Sequence, residues 1–123
     1  MKKVLIAEDD EVSREIIVDI VESMGLSSIQ SSTGALTLKI LYDNPDISLL
    51  ISDIMMPELD GMMLIKILRG NNKFAKLPII IISGVAAINE INHILELGLS
   101  VFLDKPVDTS KLKRHIEDML NNK

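Results

Sequence analysis

The chain contains no cysteine, no run of Lys or Arg and no long apolar stretch. The first absence excludes disulfide scaffolds and thiolate metal centres, and is compatible with a reducing compartment. The second, with a formal net charge of −5, disfavours direct nucleic-acid binding, which needs a basic surface to neutralise phosphates. The third leaves nothing approaching the roughly 18 apolar residues of a membrane span. The start, Met1-Lys2-Lys3 and four apolar residues before Glu8, is too short for a signal-peptide core. A glycine-rich Walker loop is also missing, which argues against an NTPase. The expectation is a cytoplasmic protein without membrane or nucleic-acid contact.

What is present points to a packed fold. Hydrophobic residues make up 47% and charged residues 25%, far from the profile of disordered chains, and 123 residues suit one core. With no repeats, low-complexity segments or linkers, residues 1–123 read as a single domain. Val4-Leu5-Ile6-Ala7, Leu49-Leu50-Ile51-Ser52, Ile79-Ile80-Ile81-Ile82 and Val101-Phe102-Leu103 are short apolar runs without alternation, the pattern of parallel strands covered on both faces. A weaker strand, Ser28 to Ser31, has Ile29 as its only large apolar residue and belongs at a sheet edge.

Between these runs the spacing changes to three and four. Val12, Ile16, Ile20 and Met24 predict one face of a first helix, stopped by Gly25. Further helices are expected from about Gly34 to Tyr42 and from Gly61 to Leu68, then through Ile88, Ile91, Ile94 and Leu95 to Gly98. A last one follows an Asp108 cap, with Leu112, Ile116 and Met119 on one side. Five β-α units in succession predict an α/β fold, a doubly wound five-stranded parallel sheet whose functional site lies beyond the carboxyl ends of the strands.

The residues at those ends carry chemistry. Glu8-Asp9-Asp10 follows the first strand, Asp53 the third, Ser83-Gly84 the fourth and Asp104-Lys105-Pro106 the fifth. Taken singly, each has an ordinary explanation as a loop, turn or cap residue; Asp10 and Glu11 suit the first helix's N-terminus. Together they would place several carboxylates, one hydroxyl and one ammonium in one pocket. Crowded carboxylates repel and call for a cation: Lys105 supplies one charge, and Mg²⁺, a hard ion taking oxygen ligands, suits the rest. Asp53 is then a plausible nucleophile toward phosphorus.

These motifs resemble the receiver domains of two-component systems. The resemblance rests on Val4 to Asp10, Ser52-Asp53-Ile54-Met55-Met56-Pro57-Glu58-Leu59-Asp60-Gly61, Ile82-Ser83-Gly84 and Leu103-Asp104-Lys105-Pro106, with separations of 30 residues from Asp53 to Ser83 and 22 from Ser83 to Lys105. It covers essentially the whole chain. It implies the flavodoxin-like strand order 2-1-3-4-5, Asp53 as phosphoacceptor, and Glu8, Asp9, Asp53 and the Met55 backbone carbonyl as Mg²⁺ ligands. Ser83 would be the switch hydroxyl, Lys105 the phosphate-pairing cation, Phe102 the aromatic switch, and Lys105-Pro106 a cis peptide. Met56-Pro57 and Asp60-Gly61 would shape the loop around Asp53, with Gly61 at a turn closed to other residues.

The implied partners are a histidine kinase or a histidine phosphotransfer protein upstream. Downstream, a target would read the face of the fourth helix, fifth strand and fifth helix: parts of Asn89 to Glu96, Phe102, and Lys111 to Asp118. The apolar fourth-helix face could also support a homodimer. Such a module is a phosphoacceptor rather than a classical enzyme. A phosphorelay intermediate, or a receiver excised from a hybrid kinase, is an alternative within the fold; the starting Met favours a free-standing protein. A flavodoxin-like cofactor binder is disfavoured because the first loop is acidic, where a flavin phosphate needs hydroxyl and backbone donors. A phosphatase using Asp53 is disfavoured by Met55, which stands where a general acid is expected.

Overall fold

The computed structural model describes residues 2–54, 56, 58–59, 61–84 and 100–121. The elements are β1 (Lys3–Ala7), α1 (Glu11–Ser23), β2 (Ser27–Ser31), α2 (Gly34–Asp43), β3 (Leu49–Asp53), α3 (Gly61–Arg69), β4 (Ile79–Ser83), β5 (Ser100–Asp104) and a C-terminal helix (Thr109–Asn121). The expected helix over Ile88 to Leu95, and its Gly98 stop, lie outside the described residues. No described helix is long and apolar enough to cross a membrane.

All neighbouring strands pair in parallel, in the order β2-β1-β3-β4-β5. This is the order that the resemblance implied, with the nearly apolar-free β2 at one edge. Strand side chains alternate between faces, so the uninterrupted apolar runs feed two cores. Leu5, Leu50, Ile79 and Ile81 pack with Leu41 of α2 and with Leu64, Ile65 and Leu68 of α3. Val4, Ile6, Leu49, Ile51, Ile80 and Ile82 pack on the other face with α1 and the C-terminal helix.

The face expected for α1 needs correction. Val12 and Ile16 are 66% and 48% exposed, whereas Ile17, Val18, Ile20 and Val21 are buried. Steps of four residues advance about 40° each around a helix, so positions 12, 16, 20 and 24 wind across its surface rather than sharing one stripe. The stripe facing the sheet is Ile17, Ile20 and Val21, with half-buried Met24 beside it. Val12 and Ile16, at the start of α1, point away from the core.

Local signals set the helix ends. Asp10 caps α1 by accepting from the Ser13 amide at 2.8 Å, and Gly25 follows the helix with φ of 78°, the left-handed turn that glycine adopts without cost. Thr33 caps α2 through the Leu36 amide, and Asp108 accepts from the Lys111 amide at 3.0 Å to start the C-terminal helix. In the loop after β3 Glu58 is left-handed, with φ of 70°, and Gly61 opens α3; Asp60, with which it was expected to form a turn, lies outside the described residues.

That loop is braced from the side by α2. A Cβ on Gly34 would overlap the Leu59 carbonyl oxygen and sit 2.8 Å from the Leu59 Cβ, so the helix approaches the loop as closely as glycine permits. Gly34→Ala should therefore destabilise the protein by about 1–3 kcal/mol in urea unfolding, because overpacking outweighs the ordinary helical advantage of alanine of about 0.5–1 kcal/mol. An alanine variant as stable as the original would show that the loop yields freely.

Candidate functional site

Parallel pairing brings the carboxyl ends of β1, β3, β4 and β5 to one rim, and every polar residue singled out at a strand end arrives there. Glu8 leaves β1, Asp53 and Ser83 are the last residues of β3 and β4, and Lys105 follows β5. The register sets Asp53 opposite Ile82 and Ser83 opposite Asp104. The Lys105 amide donates to the Ser83 carbonyl at 3.2 Å and ties the last loop to β4. The Lys105-Pro106 peptide is cis.

Three carboxylates and one ammonium meet at this rim. Glu8, Asp9 and Asp53 each offer an oxygen within 4.8 Å of the others. Lys105 Nζ lies 2.7 Å from Glu8 Oε1 and 3.0 Å from Asp53 Oδ2. Glu8 and Asp53 are 1% and 6% exposed, while Asp9 is open to solvent. One edge of the site is thus sealed and the other accessible.

Burial governs the charge state. Loss of hydration pushes the Glu8 carboxyl up to about 7, against the pull of the Lys105 ammonium and the Asp10 amide, with the Asp53 charge adding to the rise. Burial by itself would lower Lys105, but its hydrogen bonds to Glu8 and Asp53 outweigh that loss and hold it above its ordinary value. One lysine leaves the three carboxylates undercompensated.

The donor set suits a hard divalent cation. Glu8 Oε2 accepts from the Asp10 amide at 3.1 Å, and buried Oε1 is paired with the Lys105 ammonium at 2.7 Å. One oxygen from each of Glu8, Asp9 and Asp53 forms an oxygen-only cradle of the kind Mg²⁺ takes, with an open side for water or a phosphate oxygen.

Glu8, Asp9, Asp53 and Lys105 therefore stand together. Ser83 is buried one register step beyond Asp53 at the adjoining strand end. Phe102 is half-buried on β5 opposite Ile81 and packs on the α2–α3 core. Met55, Pro57, Asp60 and Val85 lie outside the described residues. Asp10, expected at the start of the first helix, caps α1 with its carboxylate and also steadies Glu8 through its amide. Two contributors, Arg14 and Gln30, were not singled out from the sequence. Arg14 donates to the Glu8 carbonyl at 2.8 Å and to Gln30 Oε1 at 3.0 Å. The Arg14 spacing, one helical turn beyond Asp10, was available as a signal, but its partner on β2 was not.

Comparison with known proteins agrees with this geometry. The chain is 33% identical over 111 residues to the two-component response regulator ORR11 of Oryza sativa subsp. indica, covering 90% of this chain and 76% of the relative. It is 29% identical over 119 residues to a chemotaxis protein CheY homolog of Campylobacter jejuni, covering 96% and 92%. A solved receiver domain of a sensor histidine kinase from Pseudomonas aeruginosa PAO1, with a magnesium ion coordinated in its active site cleft, matches with a TM-score of 0.82. That likeness covers 98% of both chains at 20% identity and speaks to the fold alone. The response regulator receiver domain model matches residues 4–117, and with that match over nearly its whole length the chain belongs to the response regulator receiver family of two-component systems.

Proposed function

We propose that this chain is a Mg²⁺-dependent phosphoacceptor in which Asp53 takes a phosphoryl group from a phosphohistidine of a histidine kinase or phosphotransfer protein. The observation that carries the reading is the Asp53 carboxylate held 3.0 Å from the Lys105 ammonium inside the cradle of Glu8 and Asp9. Glu8, Asp9, Asp53 and the Met55 backbone carbonyl would hold the ion, and when bound it supplies positive charge that offsets repulsion between the carboxylates and the phosphoryl oxygens. An Asp53 oxygen forms a bond to phosphorus as the donor's P–N bond breaks and the imidazole leaves. Lys105, freed from part of its pairing with Glu8 and Asp53, takes a phosphoryl oxygen, and the Ser83 hydroxyl turns toward another.

The product carries nearly two new negative charges at one rim of the sheet, enough to bias the loops that answer with donors. Ser83 and Phe102 would transmit the change to a partner-binding face on β5, the C-terminal helix and residues 89–96. On this reading residues 1–123 act as one signalling module rather than as a classical enzyme.

Incubation with Mg²⁺ and a small phosphodonor should add one phosphate mass to the wild type and none to Asp53→Ala. A gain in the variant, or none in the wild type, would overturn the assignment.

Neither the Met55 nor the Val85 side chain can orient a water for attack on the aspartyl phosphate, so decay should be slow. Met55→Asn combined with Val85→Glu should shorten the half-life of the phosphorylated protein in Mg²⁺, and an unchanged half-life rejects that explanation.

Glu8 also sets a pH dependence. Without Mg²⁺, the native carboxyl keeps its proton to about 7, whereas the unfolded one loses it near 4.5. Between those values the native state binds more protons, so stability falls as pH rises through this window. Glu8→Gln should flatten the slope and stabilise the metal-free protein at pH 8, by at most about 3 kcal/mol. Chemical unfolding at pH 5 and pH 8 checks this, and a wild type more stable at pH 8 contradicts it. Protons and Mg²⁺ compete for Glu8, so metal affinity should weaken below about pH 7.

A further inference from the structure

The loop that carries Glu8 and Asp9 is held by more than the residues at the metal cradle. The Glu8 amide donates to the Ser31 carbonyl of β2 at 2.9 Å. Its own carbonyl accepts from Arg14 Nη1 at 2.8 Å, and Arg14 Nε is held by Gln30 Oε1 of β2 at 3.0 Å. The Arg14 guanidinium thus spans α1, the β1 loop and the edge strand. Its planar fork meets two acceptors at once, a geometry that the single point charge of lysine does not reproduce.

Orientation matters here because Asp9 cannot orient itself. The peptide that Arg14 grips joins Glu8 to Asp9, so fixing its carbonyl fixes the plane from which the exposed Asp9 side chain departs. A carboxylate held in place binds a cation without first losing rotational freedom, whereas an unheld one meets that cost at binding.

We propose that Arg14, braced by Gln30, is a positioning residue that pre-organises Glu8 and Asp9 for Mg²⁺. This rests on the phosphoacceptor reading above. It makes a prediction whose sign runs against simple electrostatics. Arg14 places a positive charge near an acidic, cation-binding site, so its removal should strengthen Mg²⁺ binding if charge were its whole contribution. Positioning requires the opposite.

The test is a Mg²⁺ titration of the full chain, followed by amide NMR shifts at the carboxyl rim, for wild type, Arg14→Ala, Arg14→Lys and Gln30→Ala. Arg14→Ala should weaken Mg²⁺ affinity roughly tenfold, within the range for residues that orient metal ligands. Arg14→Lys, which keeps the charge but loses the fork, should restore little of that loss. Gln30→Ala leaves the net charge unchanged and should weaken binding several-fold; it decides the matter if Arg14→Ala does not fold. With a small phosphodonor, the Mg²⁺ concentration for half-maximal phosphorylation should rise in each variant, while the rate at saturating Mg²⁺ stays near wild type. Unchanged or tighter Mg²⁺ binding in folded Arg14 variants, full rescue by lysine, or an unaffected Gln30→Ala overturns the positioning role. A wild type with no Mg²⁺ response overturns the phosphoacceptor reading itself.

Discussion

One ammonium shared between two buried carboxylates is the constraint around which this rim is organised. Lys105 reaches Glu8 and Asp53 from the far end of the sheet, crossing the mouths of β3 and β4. Without it, two acids almost stripped of water would face each other with no compensating charge, an arrangement that normally forces one of them to stay protonated. Even with it, burial raises the Glu8 carboxyl to about 7. The site is therefore electrostatically unfinished, and on the phosphoacceptor reading proposed above this imbalance is what would draw in a divalent cation and then a phosphoryl group.

The sheet makes that imbalance sustainable. Four strands contribute residues to a single rim because all of them run the same way, and the isoleucine- and leucine-rich interiors of β1, β3 and β4 fix their register through two packed faces. The energy of those cores offsets the cost of crowding like charges at one end. Local strain follows the same logic: the left-handed Glu58 and the close approach of Gly34 to Leu59 are both found in and around the loop leaving Asp53.

Much of this was legible in the residues. Four strands announced themselves because burial on both faces demands unbroken apolar runs, and the acids and lysine could be placed at one rim because a doubly wound topology gathers strand ends. The family resemblance supplied the strand order. The face of α1 was less legible, since Val12 and Ile16 continue an apolar spacing beyond the point where the sheet can cover it. Also hidden were contacts that depend on three-dimensional neighbours: the grip of Arg14 on the Glu8 carbonyl, the support from Gln30, and the degree to which burial disturbs Glu8. Sequence spacing reports which residues share an element, and it is silent on how a side chain from one element meets the backbone of another.

The edge strand β2 shows what such contacts can do away from the carboxylate rim. Ser27, Ser28, Gln30 and Ser31 make it a poor hydrophobic strand, yet its residues are tethered by side chains: Ser28 donates to Glu22 at 2.7 Å, Gln30 receives Arg14, and Ser31 receives the Thr37 hydroxyl at 2.8 Å. A strand fixed through polar anchors can remain short and unattractive on its open side, where a greasier one would invite another chain to pair with it. Polarity at this border thus does two jobs, keeping the strand in register and discouraging the molecule from growing into a fibre.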